Sequence, residues 1–101
     1  MAKFGDLIQS KKPVLIDFSA EWCGPCKMMA PILHDLKNKV GDNATILKID
    51  VDKNPEIAAQ YGIQSVPTLM IFKEGQLKWR QSGVVSAIDL QSLLNKEAAV
   101  G

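Results

Sequence analysis

The chain has 101 residues, of which 47% are hydrophobic and 23% charged, with a formal net charge of +1. These proportions are those of ordinary globular proteins, so we expect a single domain over residues 1–101 and neither disorder nor a membrane protein. Lys and Arg are scattered among Asp and Glu, and the absence of a basic stripe argues against nucleic-acid binding.

The N-terminal stretch spaces Phe4, Leu7 and Ile8 along one face of a short amphipathic helix, predicted over residues 4–9. This spacing differs from the continuous apolar core of a signal peptide, and no run approaches the ~18 apolar residues of a membrane span. A cytoplasmic, reducing compartment is therefore expected. In such a compartment a close cysteine pair is more often catalytic or metal-binding than a structural disulfide.

The first predicted strand covers residues 14–19, a mostly apolar run that is typical of a strand covered on both faces. Cys23 and Cys26, the only cysteines of the chain, follow it three positions apart. Pro25 favours the first turn of a helix, where its missing amide proton costs nothing. Cys23 is thus predicted at or just before a helix N-terminus, where free backbone amides and the helix dipole favour an anion such as a thiolate.

This placement of two thiols predicts redox chemistry. An unperturbed cysteine has a pKa of about 8.5 and is roughly 3% thiolate at neutral pH, whereas a pKa of about 7 gives roughly half. We expect Cys23 to attack a substrate disulfide because it is nearer the open end of the helix, and the more shielded Cys26 to resolve the mixed disulfide. Zinc is the alternative, but it normally takes four protein ligands and only His34 could readily join the cysteines.

The remaining elements follow from periodicity and turn residues. The helix that holds the cysteines should continue to Val40, with a kink at Pro31 and a stop at Gly41. A second strand over residues 45–51 should lie parallel to the first, since a helix separates the two. A short helix begins at Pro55 and ends at Tyr61, and a hairpin and a last helix complete a mixed sheet with helices on both faces. The hairpin strands are predicted over residues 68–72 and 77–81, and the last helix over residues 86–96.

Several short stretches, together with this element order, resemble the thioredoxin family over about residues 4–96. The resemblance implies a thioredoxin-like α/β fold and a monomeric protein-disulfide reductase that acts by dithiol–disulfide exchange on disulfide-containing proteins. No Gly-rich dinucleotide fingerprint is present, so no cofactor is expected and the electrons must come from a partner. The resemblance implies that this partner is a thioredoxin reductase. The stretches are Asp17-Phe18, the run from Ala20 to Lys27, the run from Asp52 to Pro55, Tyr61-Gly62-Ile63 and Pro67-Thr68.

The same resemblance implies further site residues. Asp17 would be a buried carboxyl beneath the cysteines, with Lys48 as its neighbour on the next strand, and its raised pKa would suit it to accept the proton of Cys26. From the residues alone, Asp17 could equally face solvent, and Lys48 could be an ordinary solvated lysine. The resemblance also implies a cis peptide bond before Pro67 and a flat docking surface for substrates. That surface would comprise Trp22, Gly24, Pro25, Val66, Pro67 and Gly83, with backbone contacts at Val66.

The chain departs from the family's pattern ahead of its first helix. Family members usually carry a strand there, whereas only residues 1–3 precede the helix here. We therefore predict a four-stranded sheet in which the strand over residues 45–51 is a bare edge. The charges of Lys48 and Asp50 would discourage another chain from pairing with it.

Two other functions stay open on the residues. A disulfide oxidase or isomerase would use the same thiols and would differ mainly in how far the reduced thiolate is stabilised. A thioredoxin-like interaction module, whose thiols are incidental, would keep its function after both cysteines are replaced by serine.

Overall fold

A computed structural model of the chain describes residues 3–99. This part of the chain contains four helices and four strands, with a short 3-10 turn at Gly41–Asn43 after the second helix. None of the helices within this range is long and apolar enough to cross a membrane. In chain order the elements are α1 (Phe4–Leu7), β1 (Val14–Ser19), α2 (Gly24–Val40), β2 (Thr45–Asp50), α3 (Pro55–Gln60), β3 (Thr68–Lys73), β4 (Gln76–Ser82) and α4 (Ala87–Ala99).

The strands form one mixed sheet in the order β2-β1-β3-β4. β1 pairs with β2 in parallel, whereas β3 pairs antiparallel with both β1 and β4. The predicted four-stranded sheet, its parallel βαβ unit and its hairpin are thereby confirmed. β2 lies at one edge, as predicted, and no strand within residues 3–99 pairs with its outer side.

Both faces of the sheet are covered, which is why every residue of the central strands β1 and β3 is buried. On one face α2 and α4 pack against Leu15, Leu69 and Ile71. On the other face the N-terminal segment and the α3 region pack against Ile16, Phe18, Met70 and Phe72. Helices on both faces of the sheet are therefore confirmed.

The bounds of six elements differ from those predicted, by one to three residues at an end, and local hydrogen bonds account for two of the differences. α1 ends two residues early and α3 one residue early, β3 ends one residue late, and β4 is one residue longer at each end. β2 ends at Asp50 rather than at residue 51, because the Asp50 carboxylate accepts the amides of Asp52 at 2.8 Å and Lys53 at 3.1 Å and turns the chain. α4 begins one residue late because Ser86 caps it, accepting the Asp89 amide at 3.2 Å. α4 then runs three residues past Lys96, through residues that favour helix.

The tight turn between β3 and β4 lies at Glu74-Gly75, as predicted. Both residues have positive φ, 52° and 81°, the conformation that two-residue hairpin turns require. The amides of this turn donate to the carbonyl oxygens of Ser10 and Ile8 at 2.9 Å each, so the hairpin is tied to the segment that follows α1.

Candidate active site

Cys23 and Cys26 lie at the start of α2, directly after the carboxyl end of β1, and form a disulfide with a Cα–Cα distance of 5.3 Å. The two side chains are 4% and 3% exposed. The predicted difference in shielding is therefore absent in this oxidised form. Hydrogen bonds and position in the helix, rather than exposure, distinguish the two cysteines.

Cys23 is the N-cap of α2, with extended backbone angles and a side chain that accepts a hydrogen bond from the Cys26 amide at 3.1 Å. The backbone folds this way because Pro25, in the first turn, needs no hydrogen-bond partner for its nitrogen. In the reduced protein the same amide and the helix dipole favour negative charge on the Cys23 sulfur. This sulfur also lies 3.5 Å from the carbonyl oxygen of Val66, which reaches the site from the loop before β3.

Asp17 is fully buried in β1, and neither of its carboxylate oxygens has a hydrogen-bond partner among the described residues. Because side chains alternate along a strand, it lies on the same face as Leu15, the face that α2 covers. Burial raises the pKa of Asp17 to about 6, and the positive charge of Lys48 acts in the opposite direction. Such a carboxyl can gain and lose a proton near neutral pH.

Lys48 stands beside Asp17 in the parallel pairing of β1 with β2. Its side chain is exposed at the sheet edge, and no hydrogen bond or ion pair joins it to Asp17 in the described part of the chain. Its influence on Asp17 is therefore that of a nearby charge, exerted from the solvent side of the edge strand.

Trp22 is 71% exposed beside the disulfide, and its indole Nε1 donates to Oδ2 of Asp52 at 2.8 Å. Sequence reasoning did not single out Asp52 as a functional residue. A signal was present, since Trp22 follows β1 and Asp52 follows β2, and the carboxyl ends of neighbouring parallel strands meet at one edge of a sheet. An ion pair between Lys53 and Glu21 at 3.3 Å joins the same two segments.

The six residues predicted to dock substrates differ in their exposure. Trp22, Gly24 and Pro25 are exposed and Val66 and Gly83 are partly exposed, whereas Pro67 is buried. Pro67 therefore shapes this surface from beneath rather than lining it. The Val66–Pro67 peptide bond is cis, and the Gly83 amide donates to the Pro67 carbonyl oxygen at 2.8 Å, which brings Gly83 beside it.

Side chains on β3 and β4 hold the loop that carries Val66. Arg80 donates to the carbonyl oxygens of Tyr61 and Gly62, the latter at 3.0 Å. Thr68 donates through its hydroxyl to the carbonyl oxygen of Ser65 at 2.7 Å. The loop is thus fixed at its beginning, by Arg80, and near its end, by Thr68. Val66 follows the second fixed point, Ser65, and precedes Pro67.

Comparison with known proteins shows that the chain is similar to thioredoxins over most of its length. A family model described as Thioredoxin matches residues 1–96. The chain is 44% identical to the thioredoxin of Acidithiobacillus ferridurans, over 91% of this chain and 85% of that protein. It is 46% identical to thioredoxin 1 of Synechococcus elongatus, over 89% and 81% of the two chains. With the thioredoxin of Bacillus subtilis it shares 48% identity over 86% and 84%.

Proposed function

The chain belongs to the thioredoxin family and is a dithiol–disulfide reductase, and we propose that Cys23 is its nucleophile and Cys26 its resolving thiol. The observation that carries this assignment is the hydrogen bond from the Cys26 amide to the Cys23 sulfur at the helix N-terminus. It places a backbone donor against the sulfur that must hold negative charge. Cys26 lies inside the first turn and faces Cys23 rather than solvent.

The proposed reaction transfers two electrons from the protein to its substrate. The Cys23 thiolate attacks one sulfur of the substrate disulfide, forming a mixed disulfide and releasing the other sulfur as a thiolate, which takes a proton. Cys26 then loses its proton and attacks the Cys23 sulfur. The second substrate thiolate leaves and is protonated, and the protein is left with the Cys23–Cys26 disulfide seen here.

Asp17 is proposed as the acceptor of the Cys26 proton. Its carboxylate lies on the α2 face of the sheet without a hydrogen-bond partner among the described residues. No hydrogen-bond donor among those residues therefore competes with the incoming proton for the carboxylate oxygens. A pKa of about 6 leaves most of the group ionised, and able to accept, at pH 7. Lys48 would stabilise the carboxylate form and so keep this pKa from rising further.

Substrates are proposed to dock as extended segments over Trp22, Gly24, Pro25, Val66 and Gly83, with Pro67 beneath. The Val66 carbonyl oxygen lies 3.5 Å from the Cys23 sulfur, which is the point of attack. A chain that hydrogen-bonds to the backbone of Val66 would bring its own disulfide to Cys23. Backbone recognition of this kind suits many different proteins.

A thioredoxin reductase is proposed as the partner that restores the dithiol. The two thiols reduce one substrate disulfide per cycle, so each turnover needs a two-electron donor from outside the chain. We propose that this cycle takes place in the cytoplasm and that the protein acts as a monomer.

Cys26→Ser tests the assignment of the two cysteines. This variant should attack substrates through Cys23 and then fail to release them, so that mixed disulfides accumulate on a non-reducing gel. The matched control is Cys23→Ser, which should trap little. Equal trapping by both variants would show that the roles are wrongly assigned.

The interaction-module alternative is tested by replacing both cysteines with serine. We expect complete loss of insulin-disulfide reduction with an unchanged circular dichroism spectrum, because neither cysteine belongs to the two large core clusters that cover the faces of the sheet. Retention of the protein's cellular function by the doubly substituted chain would favour the interaction module.

A further inference from the structure

A groove runs between β4 and α4, and it lies outside the site described above. It is lined by Trp79 and Gln81 on the strand, by Asp89, Ser92 and Leu93 on the helix, and by the buried Val85 between the two elements. Trp79 is half-buried and packs against the core cluster beneath α2 and α4, so the groove is on the α2 and α4 side of the sheet. We call it the β4–α4 groove.

The pairing of β3 with β4 makes this groove continuous with the docking surface. Ser82 pairs with Thr68, directly after Pro67, and Gln81 is the next residue along β4. Trp79 pairs with Ile71, three positions from the Thr68 pair, which is about 10 Å along the strand. An extended substrate segment that crosses Val66 and Gly83 can therefore enter the groove within a few residues.

The groove offers chemistry suited to a planar cation. Asp89 is the one charged residue among those that line it, and its carboxylate accepts no hydrogen bond from any residue in the range 3–99. The indole of Trp79 supplies an aromatic face, and the Gln81 and Ser92 side chains supply further acceptors. A guanidinium group pairs with a carboxylate and stacks on an aromatic ring, which an ammonium group does less well.

We propose that the β4–α4 groove is a specificity site for an arginine of the substrate, about three to five residues from the cysteine that Cys23 attacks. The spacing follows from the path between Val66 and Trp79 at about 3.3 Å per extended residue, less the reach of the arginine side chain. The proposal rests on the proposed function, because it assumes that substrates cross the docking surface.

The test uses two sets of peptides that each contain one intramolecular disulfide. The sets are identical except that one carries arginine, and the other its neutral analogue citrulline, at three, four or five residues on either side of the reactive cysteine. The expected result is a kcat/KM ratio, arginine over citrulline, of about 3 to 10 at the best position, since exposed ion pairs and cation–π contacts are modest. The ratio should fall toward 1 in about 1 M salt, where exposed charges are screened.

Asp89→Asn is the decisive variant, and we expect it to lower the ratio to about 1. The cap of α4 survives, because Ser86 bonds the backbone amide of Asp89 and not its side chain. Asp35→Asn, which removes the same charge from an exposed position on α2, is the matched control and should keep the ratio. Asp89→Glu should restore most of it. Trp79→Leu should lower the ratio more than Trp79→Phe, which keeps an aromatic face.

A ratio of 1 in the unmodified protein at every position would overturn the proposal, as would an equal loss in Asp89→Asn and Asp35→Asn. Failure of the proposed function would look different, since neither the arginine nor the citrulline peptide would then be reduced.

Discussion

Asp17 carries an energetic cost that the rest of the site does not share. It is fully buried, no described residue hydrogen-bonds its oxygens, and its pKa is about 6 in the folded protein against an ordinary value of 3.8. Between these two values the folded protein holds a proton that the unfolded chain has lost. Stability therefore falls as the pH rises through this interval, and the whole penalty, about 3 kcal/mol, is present above pH 6.

Asp17→Asn should remove this pH dependence. As the pH is raised from 4 to 8, we expect the unfolding free energy of the variant to rise by up to about 3 kcal/mol relative to that of the unmodified protein, because asparagine has no charge to bury. Urea unfolding of both oxidised proteins at the two pH values measures the change. The same difference in stability at pH 4 and pH 8 would contradict the assignment of the pKa.

The hydrogen bond between Trp22 and Asp52 fixes an exposed ring beside the disulfide. Asp52→Ala removes the acceptor, so we expect faster solvent exchange of the Trp22 indole N–H and a severalfold lower kcat/KM for protein substrates. Asp52→Asn keeps a carbonyl oxygen within reach and serves as the control, with indole exchange close to the unmodified rate. Nuclear magnetic resonance of the indole proton follows both variants, and unaltered exchange in Asp52→Ala would rule the bond out as the restraint.

At the residue scale, the sequence predicted those features of the site that depend only on residues adjacent in the chain. The position of Cys23 at a helix N-terminus follows from the strand before it and Pro25 after it. The burial of Asp17 was ambiguous on the residues alone, because a strand pattern does not show which face is covered. The Trp22–Asp52 bond joins residues 30 positions apart, and only the placement of β2 beside β1 brings them together.

At the scale of elements, β2 leaves one side of its backbone unpaired within residues 3–99. The amides of Thr45 and Val51 donate toward β1, to Pro13 and Ser19, and alternation along the strand directs those of Ile46, Lys48 and Asp50 outward. We expect these three amides to exchange with solvent much faster than those of Leu47 and Ile49. Hydrogen-exchange spectra of the monomer measure this, and protection of both sets would mean that another strand pairs there.

Strands and helices could be predicted well where burial and turn residues agree. Residues 14–19 match β1 because an apolar run begins directly after a proline. The end of β2 was missed by one residue because a side-chain bond, the Asp50 carboxylate to two amides, turns the chain. Pro31 lies inside α2, which is assigned as helix without a break, and the kink there stays a prediction.

For the whole molecule, the oxidation state of the two cysteines should change global stability. The disulfide closes a loop of only four residues, 23–26, so the loop-entropy relation gives about 2 kcal/mol in favour of the oxidised form. Calorimetry should show a Tm about 8 to 16 °C lower after reduction, for a domain of this size. The doubly serine-substituted chain is the control, and its Tm should not respond to the reductant. A higher Tm on reduction would contradict the expectation.

The anchored loop before Pro67 has a consequence for which proteins are reduced fastest. Arg80, Thr68 and the Gly83 amide hold this stretch in place before any target arrives. The protein therefore gives up little conformational entropy on association, and nearly all the ordering falls on the incoming polypeptide. We therefore expect the fastest reduction for those target proteins in which the segment around the disulfide most readily becomes extended.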